Sequence, residues 1–260
     1  MRFHEYGKEN EKTILLLPGT FCNNEVNFGK VIPLLAESFH VIGVDYDGFD
    51  GTDSEFTSMI NITSKIEKYI RRRFDGKLFA AYGSSLGGSF VGLLIERGNI
   101  RIGHGIIGSS DLDQSGRLSA LLQTELIGKA LFGTLKSGHI PGWMKKVMRD
   151  KMGAEASDKY LSMLDGMSAA MENVSKLSLE REFYSDLITP LGDNISAEGT
   201  QIHVFYALKM GEKYRQRYLQ HFADPDIIEQ NYGHEELLFF YPERWEEEVR
   251  KCTGVNGSFN

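Results

Sequence analysis

The stretch Leu78-Phe79-Ala80-Ala81-Tyr82-Gly83-Ser84-Ser85-Leu86-Gly87-Gly88 constrains the fold more than any other part of the chain. Its apolar first half reads as a buried strand, and helical spacing follows at Phe90, Val91, Leu93, Leu94 and Ile95. Only a very tight turn separates the two. The centre fits G-x-S-x-G, which places Ser85 on a strained strand-to-helix turn with its Oγ lifted clear of the sheet edge. Gly83 and Gly87 are needed because strand and helix come too close for a Cβ, and Gly88 relaxes the contact further. The helix start beneath the serine points backbone N–H groups at any negative charge developing there.

The flanking chain reads as alternating strands and helices. Arg2 to Tyr6 alternates polar and apolar residues, as an edge strand does. Thr13-Ile14-Leu15-Leu16-Leu17 is a continuous apolar run, the mark of a strand covered on both faces, and it ends in the loop Pro18-Gly19-Thr20-Phe21. Helical spacing over 28–37 leads to a second buried strand from His40 to Val44, then to an acidic loop, Asp45 to Asp53. That loop lacks the terminal glutamate of an EF-hand and reads as a solvated connection. A helix from Thr57 to Arg73 precedes the central strand, with Arg71, Arg72 and Arg73 suited to its C-terminal dipole. A further strand from Ile102 to Ile107 ends in Ser109-Ser110-Asp111-Leu112-Asp113. Such alternation implies a parallel sheet with helices on both faces.

From about Arg117 to Leu191 the pattern is helical only. Six of the nine methionines fall there, Met144, Met148, Met152 and Met163, Met167, Met171, each set lining one helix face. They suit helix-to-helix packing, and equally a lid whose adaptable surface accommodates an apolar group. Alternation resumes with strands at Ile202 to Tyr206 and Asp226 to Gln230, a helix from Gly211 to Phe222 between them, and a closing helix from Pro242 to Lys251.

A net charge of −7 over 260 residues argues against nucleic acid or an anionic membrane surface as partner. Cys22 and Cys252 stand in neither a redox nor a zinc spacing, so no metal site is expected. The polar N-terminus and the lack of a membrane-length apolar run point to a cytoplasmic protein.

Three motifs in order, Leu17-Pro18-Gly19-Thr20, Gly83-Ser84-Ser85-Leu86-Gly87 and Gly233-His234, together resemble the α/β-hydrolase superfamily, particularly its lidded esterase and lipase-like members. The resemblance covers the chain from about residue 13 onward. It implies an α/β fold with a mostly parallel sheet and helices on both faces. Residues 1–113 and 197–260 would form the core, and 114–196 a helical cap inserted before the penultimate strand. It also implies Ser85 as nucleophile, His234 as general base, and the backbone N–H groups of Thr20 and Leu86 as an oxyanion hole. Members usually carry His-Gly where this chain has Pro18-Gly19, but backbone donors do not need that histidine.

The acid departs from the family pattern, because Met210 stands at the usual position. Asp111, directly after the preceding strand, is the first choice. Glu212 and Asp113 are the alternatives, and a dyad without a proper acid stays open. The activity implied is a serine hydrolase cleaving an ester, thioester or similar small acyl substrate with an apolar portion, without metal or organic cofactor. The same constellation serves C–C hydrolases and lyases, and a weakened triad would suit a non-catalytic ligand-binding protein. A serine rather than an aspartate at residue 85 argues against dehalogenase or epoxide hydrolase chemistry.

Overall fold

The computed structural model describes residues 1–112, 114–152, 154–171 and 173–255, with side chains except those of 127–131, 135, 143, 144, 147, 151, 152, 155, 156 and 169. Seven strands form one sheet: β1 Arg2–Tyr6, β2 Thr13–Leu17, β3 His40–Asp45, β4 Lys77–Ser84, β5 Arg101–Gly108, β6 Gln201–Ala207 and β7 Asp226–Gln230. Their order is β1-β3-β2-β4-β5-β6-β7, with β1 antiparallel to β3 and every other pair parallel. The strand that carries the glycine-rich turn, β4, is central.

Both faces of the sheet are covered, and alternate residues of each strand serve opposite cores. Leu15, Leu17, Ala81, Ile107, Val204 and Tyr206 pack on one face with α3 Met59–Arg73, α4 Leu86–Arg97 and helices of the second half of the chain. Ile14, Leu16, Ala80, Tyr82, Ile106 and Phe205 pack on the other, against Phe28, Ile32, Leu35, Trp245 and Val249. Helix α1 Asn24–Phe28, which the helical spacing over 28–37 did not mark, ends where that spacing begins, and the rest of the spacing is helical only at α2 Ile32–Leu35. Gly29 ends the first, and Pro33 sits in the opening turn of the second, where its missing N–H costs nothing.

Between β5 and β6 the chain is helical: α5 Arg117–Gln123, a π-helical turn at Thr124–Gly128, α6 Lys129–Ser137, α7 Gly142–Met152, α8 Ala154–Ala170 and α9 Lys176–Ile188. Then come α10 Glu212–His221 before β7, and α11 Glu236–Phe240 and α12 Pro242–Thr253 after it. Among the described residues no helix is long and apolar enough to cross a membrane.

The acidic loop after β3 is not solvated along its length. Residues 45–50 are buried, and the Met1 ammonium pairs with Asp47 and Asp50 while Lys65 pairs with Asp47. Thr52 and Ser54 hydroxyls donate to Asp50 as well. Opposite charges and hydroxyls thus make burial of two carboxylates tolerable. Among the described residues no group of three or more histidine, cysteine or acidic side chains is arranged to hold a metal ion.

The turn between β4 and α4 is built on backbone contact. A Cβ on Gly83 would fall on the Gly87 carbonyl, and one on Gly87 would fall on the Leu17 carbonyl. Gly98, which ends α4 at φ +60°, meets nothing within 4 Å. Gly83→Ala and Gly87→Ala are therefore each expected to cost about 3 kcal/mol through overpacking against rigid backbone. Gly98→Ala is expected to cost about 1 kcal/mol, from its positive φ alone. Urea melts of the three variants measure the contrast, and equal losses would contradict it.

Candidate active site

Loops at the carboxyl ends of four parallel strands converge, the usual position for a site in an open α/β sheet. Ser85 follows β4 at φ +50° and ψ −114°, outside the regions that L-residues adopt freely. Its backbone is held from both directions, since its N–H donates to the Gly108 carbonyl at 2.8 Å and its carbonyl accepts from the Gly88 N–H at 2.9 Å. Leu86 opens α4, so its N–H is among those that a helix start leaves free of intrahelical partners.

The loop after β2 lies directly against this turn. The Gly19 Cα is so close that a Cβ there would stand 3.3 Å from the Ser85 Cβ. Four hydrogen bonds fix the loop: Tyr46 Oη–H to the Pro18 carbonyl at 3.0 Å, Gly19 N–H to Asn27 Oδ1 at 2.6 Å, Phe21 N–H to Glu182 Oε2 at 2.9 Å, and Cys22 N–H to the Gly19 carbonyl at 3.2 Å. Among the described residues no hydrogen bond occupies the Thr20 N–H. Glu182 reaches in from α9 and is wholly buried, which pushes its carboxyl pKa well above the usual range despite the Phe21 N–H.

His234 lies after β7, and its loop is tied down by Tyr160 Oη–H donating to the His234 carbonyl at 2.8 Å. The Ser109 backbone near its ring favours the charged form. Although the residue retains solvent exposure, the surrounding protein lowers its pKa by disfavouring the charged form, against the opposing pull of the Asp111 carboxylate and the Ser109 backbone. Asp111 follows β5 in a loop that α10 clamps from below: Tyr218 Oη–H donates to the Ser110 carbonyl and Arg217 Nη1 to the Asp111 carbonyl at 2.8 Å.

The other acids are elsewhere. Glu212 is 66 % exposed at the start of α10, accepting from Gln216 at 2.7 Å with Arg215 at 3.8 Å. Asp113 lies outside the described residues. Met210 ends a 3₁₀ turn after β6.

The other six histidines are placed outside this convergence. His4 pairs with Asp45, His40 with Glu5, and His104 with His203, which in turn pairs with Asp226; His221 bonds the Gly192 carbonyl. His139 is exposed between α6 and α7.

A pocket of about 150 Å³ joins these parts, lined by Thr20, Ser85 and His234 on the sheet side and by Tyr160, Met163 and Met167 of α8 opposite. Met163 and Met167 belong to the second methionine set, and the third member, Met171, is buried in the core behind them. In the first set, the side chains of Met144 and Met152 lie outside the described residues.

With the sheet order, the turn and this convergence established, a comparison with solved structures is decisive for the architecture. A protein from Desulfitobacterium hafniense assigned to the alpha/beta hydrolase family superposes with a TM-score of 0.78 at 19 % identity, over 96 % of this chain and 99 % of that one. The chain has the α/β-hydrolase fold. MenH from S. aureus matches at a TM-score of 0.71 and 14 % identity, over 97 % and 98 % of the two chains. A thermophilic esterase from Thermogutta terrifontis matches at 0.71 and 16 %, over 98 % and 94 %. No family model matches the sequence.

One buried group beside the candidate site escaped sequence reasoning. Glu235, next to His234, turns inward at φ +54° and is 5 % exposed. Burial raises its pKa to about 8, against hydrogen bonds from Ser84, the Ser85 N–H and Tyr82 that favour its charged form. The native state therefore holds a proton that the unfolded chain releases near its ordinary value of 4.5. Stability contributed by this residue falls as pH rises from about 4.5 to about 8 and is then constant. Glu235→Gln cannot ionise, so its Tm should exceed the wild-type value by about 3 °C or more at pH 8 and converge on it toward pH 4. Calorimetry across that range tests the sign, and a difference that grows toward acid would contradict it.

Proposed function

We propose that the protein is a serine hydrolase that cleaves an ester, thioester or similar small acyl compound through a covalent acyl-Ser85 intermediate. The observation that carries this reading is that Ser85, on a positive-φ turn against the Gly19–Thr20 loop, shares one pocket with His234. Solved α/β-hydrolase-fold structures that include esterases support the reaction class.

In this reading His234 takes the Ser85 proton as Oγ attacks the acyl carbon, and returns it to the leaving group as the tetrahedral intermediate collapses. Water then repeats the sequence on the acyl-enzyme. The Thr20 and Leu86 N–H groups receive the oxyanion, each worth about 10²-fold or more if its donor is aimed at the developing charge. Asp111 is the acid. Its charge, together with the Ser109 backbone, favours the imidazolium that forms, which supplies the acid's electrostatic task with Met210 at the usual acid position.

The helices between β5 and β6 act as a lid in this reading. The apolar side chains of Met163 and Met167 then face the acyl or alcohol portion of the substrate, and Tyr160 links the lid to the histidine loop. The function needs no metal or organic cofactor.

Intact-mass labelling with a fluorophosphonate tests the reading. Wild-type protein is expected to take up one equivalent at pH 7.5, and Ser85→Ala none. Asp111→Asn should slow labelling about 10²-fold, less than loss of the nucleophile or base, because acids contribute least among such residues. Glu212→Gln should label at the wild-type rate. An unlabelled wild type would contradict the hydrolase reading and favour ligand binding without turnover.

The pH dependence carries a second test. His234 must be neutral to act as base, and its pKa is lowered, so kcat/KM on a p-nitrophenyl ester should hold its plateau to below pH 6.5 before falling. Asp111→Asn removes a charge that raises that pKa and should move the acid limb lower still. A limb that moves upward in the variant would contradict the assignment of Asp111.

A further inference from the structure

Behind Ser85, a line of buried polar groups connects the bonds that fix the Gly19–Thr20 loop with the serine's own turn. The Gly19 N–H donates to Asn27 Oδ1 at 2.6 Å, and Asn27 Nδ2 donates to Ser84 Oγ at 3.1 Å. The Ser84 hydroxyl lies close enough to Glu235 to favour its charged form. Glu235 Oε1 accepts at 3.2 Å from the Ser85 N–H, which it shares with the Gly108 carbonyl at 2.8 Å, and Tyr82 Oη stands 3.5 Å from Oε2. Asn27, Ser84 and Glu235 are all buried. The line therefore runs from the backbone just before Thr20 to the amide of Ser85, and its last member is the residue that follows His234.

We infer that Glu235 is a positioning residue, which locks the nucleophile turn and the Gly19–Thr20 loop into one unit through Ser84 and Asn27. This rests on the serine-hydrolase reading for its effect on rate, but its effect on the backbone is independent of it. The constraint matters at this point because Ser85 occupies a strained conformation that persists only when its surroundings over-determine it. Two oxyanion donors on separate loops also keep their spacing only if the loops are tied to each other. With its pKa at about 8 the carboxyl is protonated at neutral pH and, as an amide would, offers an accepting oxygen to the Ser85 N–H.

The surroundings also define how the residue responds to pH. Tyr82 of β4, Cys22 after the Gly19–Thr20 loop, Tyr160 of α8 and Tyr218 of α10 all have their own pKa values raised in part by the Glu235 charge. All four are neutral near pH 7, and His234, beside it in the chain, is pushed toward its neutral form. Ionisation of Glu235 thus places a full negative charge behind the Ser85 amide, close to where the oxyanion develops. Turnover is expected to fall through an alkaline limb near pH 8.

The test compares Glu235→Gln, Glu235→Ala and Ser84→Ala with the wild type, using fluorophosphonate labelling rates and amide hydrogen exchange of the peptide spanning Ser85. The glutamine variant keeps an acceptor for the Ser85 N–H, so it should label within about threefold of wild type at pH 7 and lose the alkaline limb. The alanine variant should label about 10²-fold more slowly, with accelerated exchange at Ser85. Ser84→Ala, which cuts the line without touching the glutamate, should fall between them even if Glu235→Ala fails to fold. Wild-type rates and unchanged exchange in Glu235→Ala and Ser84→Ala would overturn the inference, as would an alkaline limb that survives in Glu235→Gln. If wild-type Ser85 takes no label while Glu235→Ala still accelerates exchange, the hydrolase reading fails and the positioning role stands.

Discussion

The molecule depends on how closely β4 and α4 approach each other on either side of Ser85. The serine's backbone conformation carries strain of about 1–3 kcal/mol, which the turn cannot hold by itself. Gly83 against the Gly87 carbonyl and Gly87 against the Leu17 carbonyl allow the approach, since any side chain would force the backbones apart. The same contacts place the end of β2 beside the turn. Sheet order then matters for chemistry: β2 and β5 flank β4, so their loops arrive on either side of the serine, and β7 returns the histidine loop from the far edge.

Around this turn the protein gathers groups that burial keeps uncharged. Glu182 behind Phe21 and Glu235 behind Ser85 both have raised pKa values, and Cys22 is pushed above the ordinary thiol range. The carboxyls act as hydrogen-bond acceptors for backbone N–H groups while water is excluded. Their burial costs stability, because neutral retention of a proton opposes folding at neutral pH. In return the loops that carry Thr20 and Ser85 are held by bonds that solvent cannot compete for.

Much of this was legible in the residues. Continuous apolar runs marked β2, β3 and β4, because strands covered on both faces need no polar alternation. The G-x-S-x-G spacing located the turn because its glycines are required by geometry that few other sequences satisfy. Single polar residues were harder. The restriction of helix to Ile32–Leu35 within 28–37 depends on Gly29 and Pro33 acting against a helical apolar spacing. The acidic loop looked solvated because its partners, the Met1 ammonium and Lys65, are distant in sequence. Nothing in the sequence sets Glu235 apart from other acidic residues ahead of a helix, and its backbone turns it into the core at a positive φ. Sequence could not decide among the candidate acids: Asp111 acts electrostatically on His234, Glu212 is engaged on the surface of α10, and Asp113 lies outside the described residues.

The central claim is that Ser85, His234 and the Thr20 and Leu86 amides act as one acyl-transfer site. A crystal structure of the phosphonylated protein tests this most directly. The account predicts a phosphonyl group bonded to Ser85 Oγ, with one oxygen within hydrogen-bond distance of both amides and the leaving-group side facing His234. A phosphonyl oxygen turned away from Thr20 and Leu86, or an adduct on another side chain with Ser85 unmodified, would contradict it.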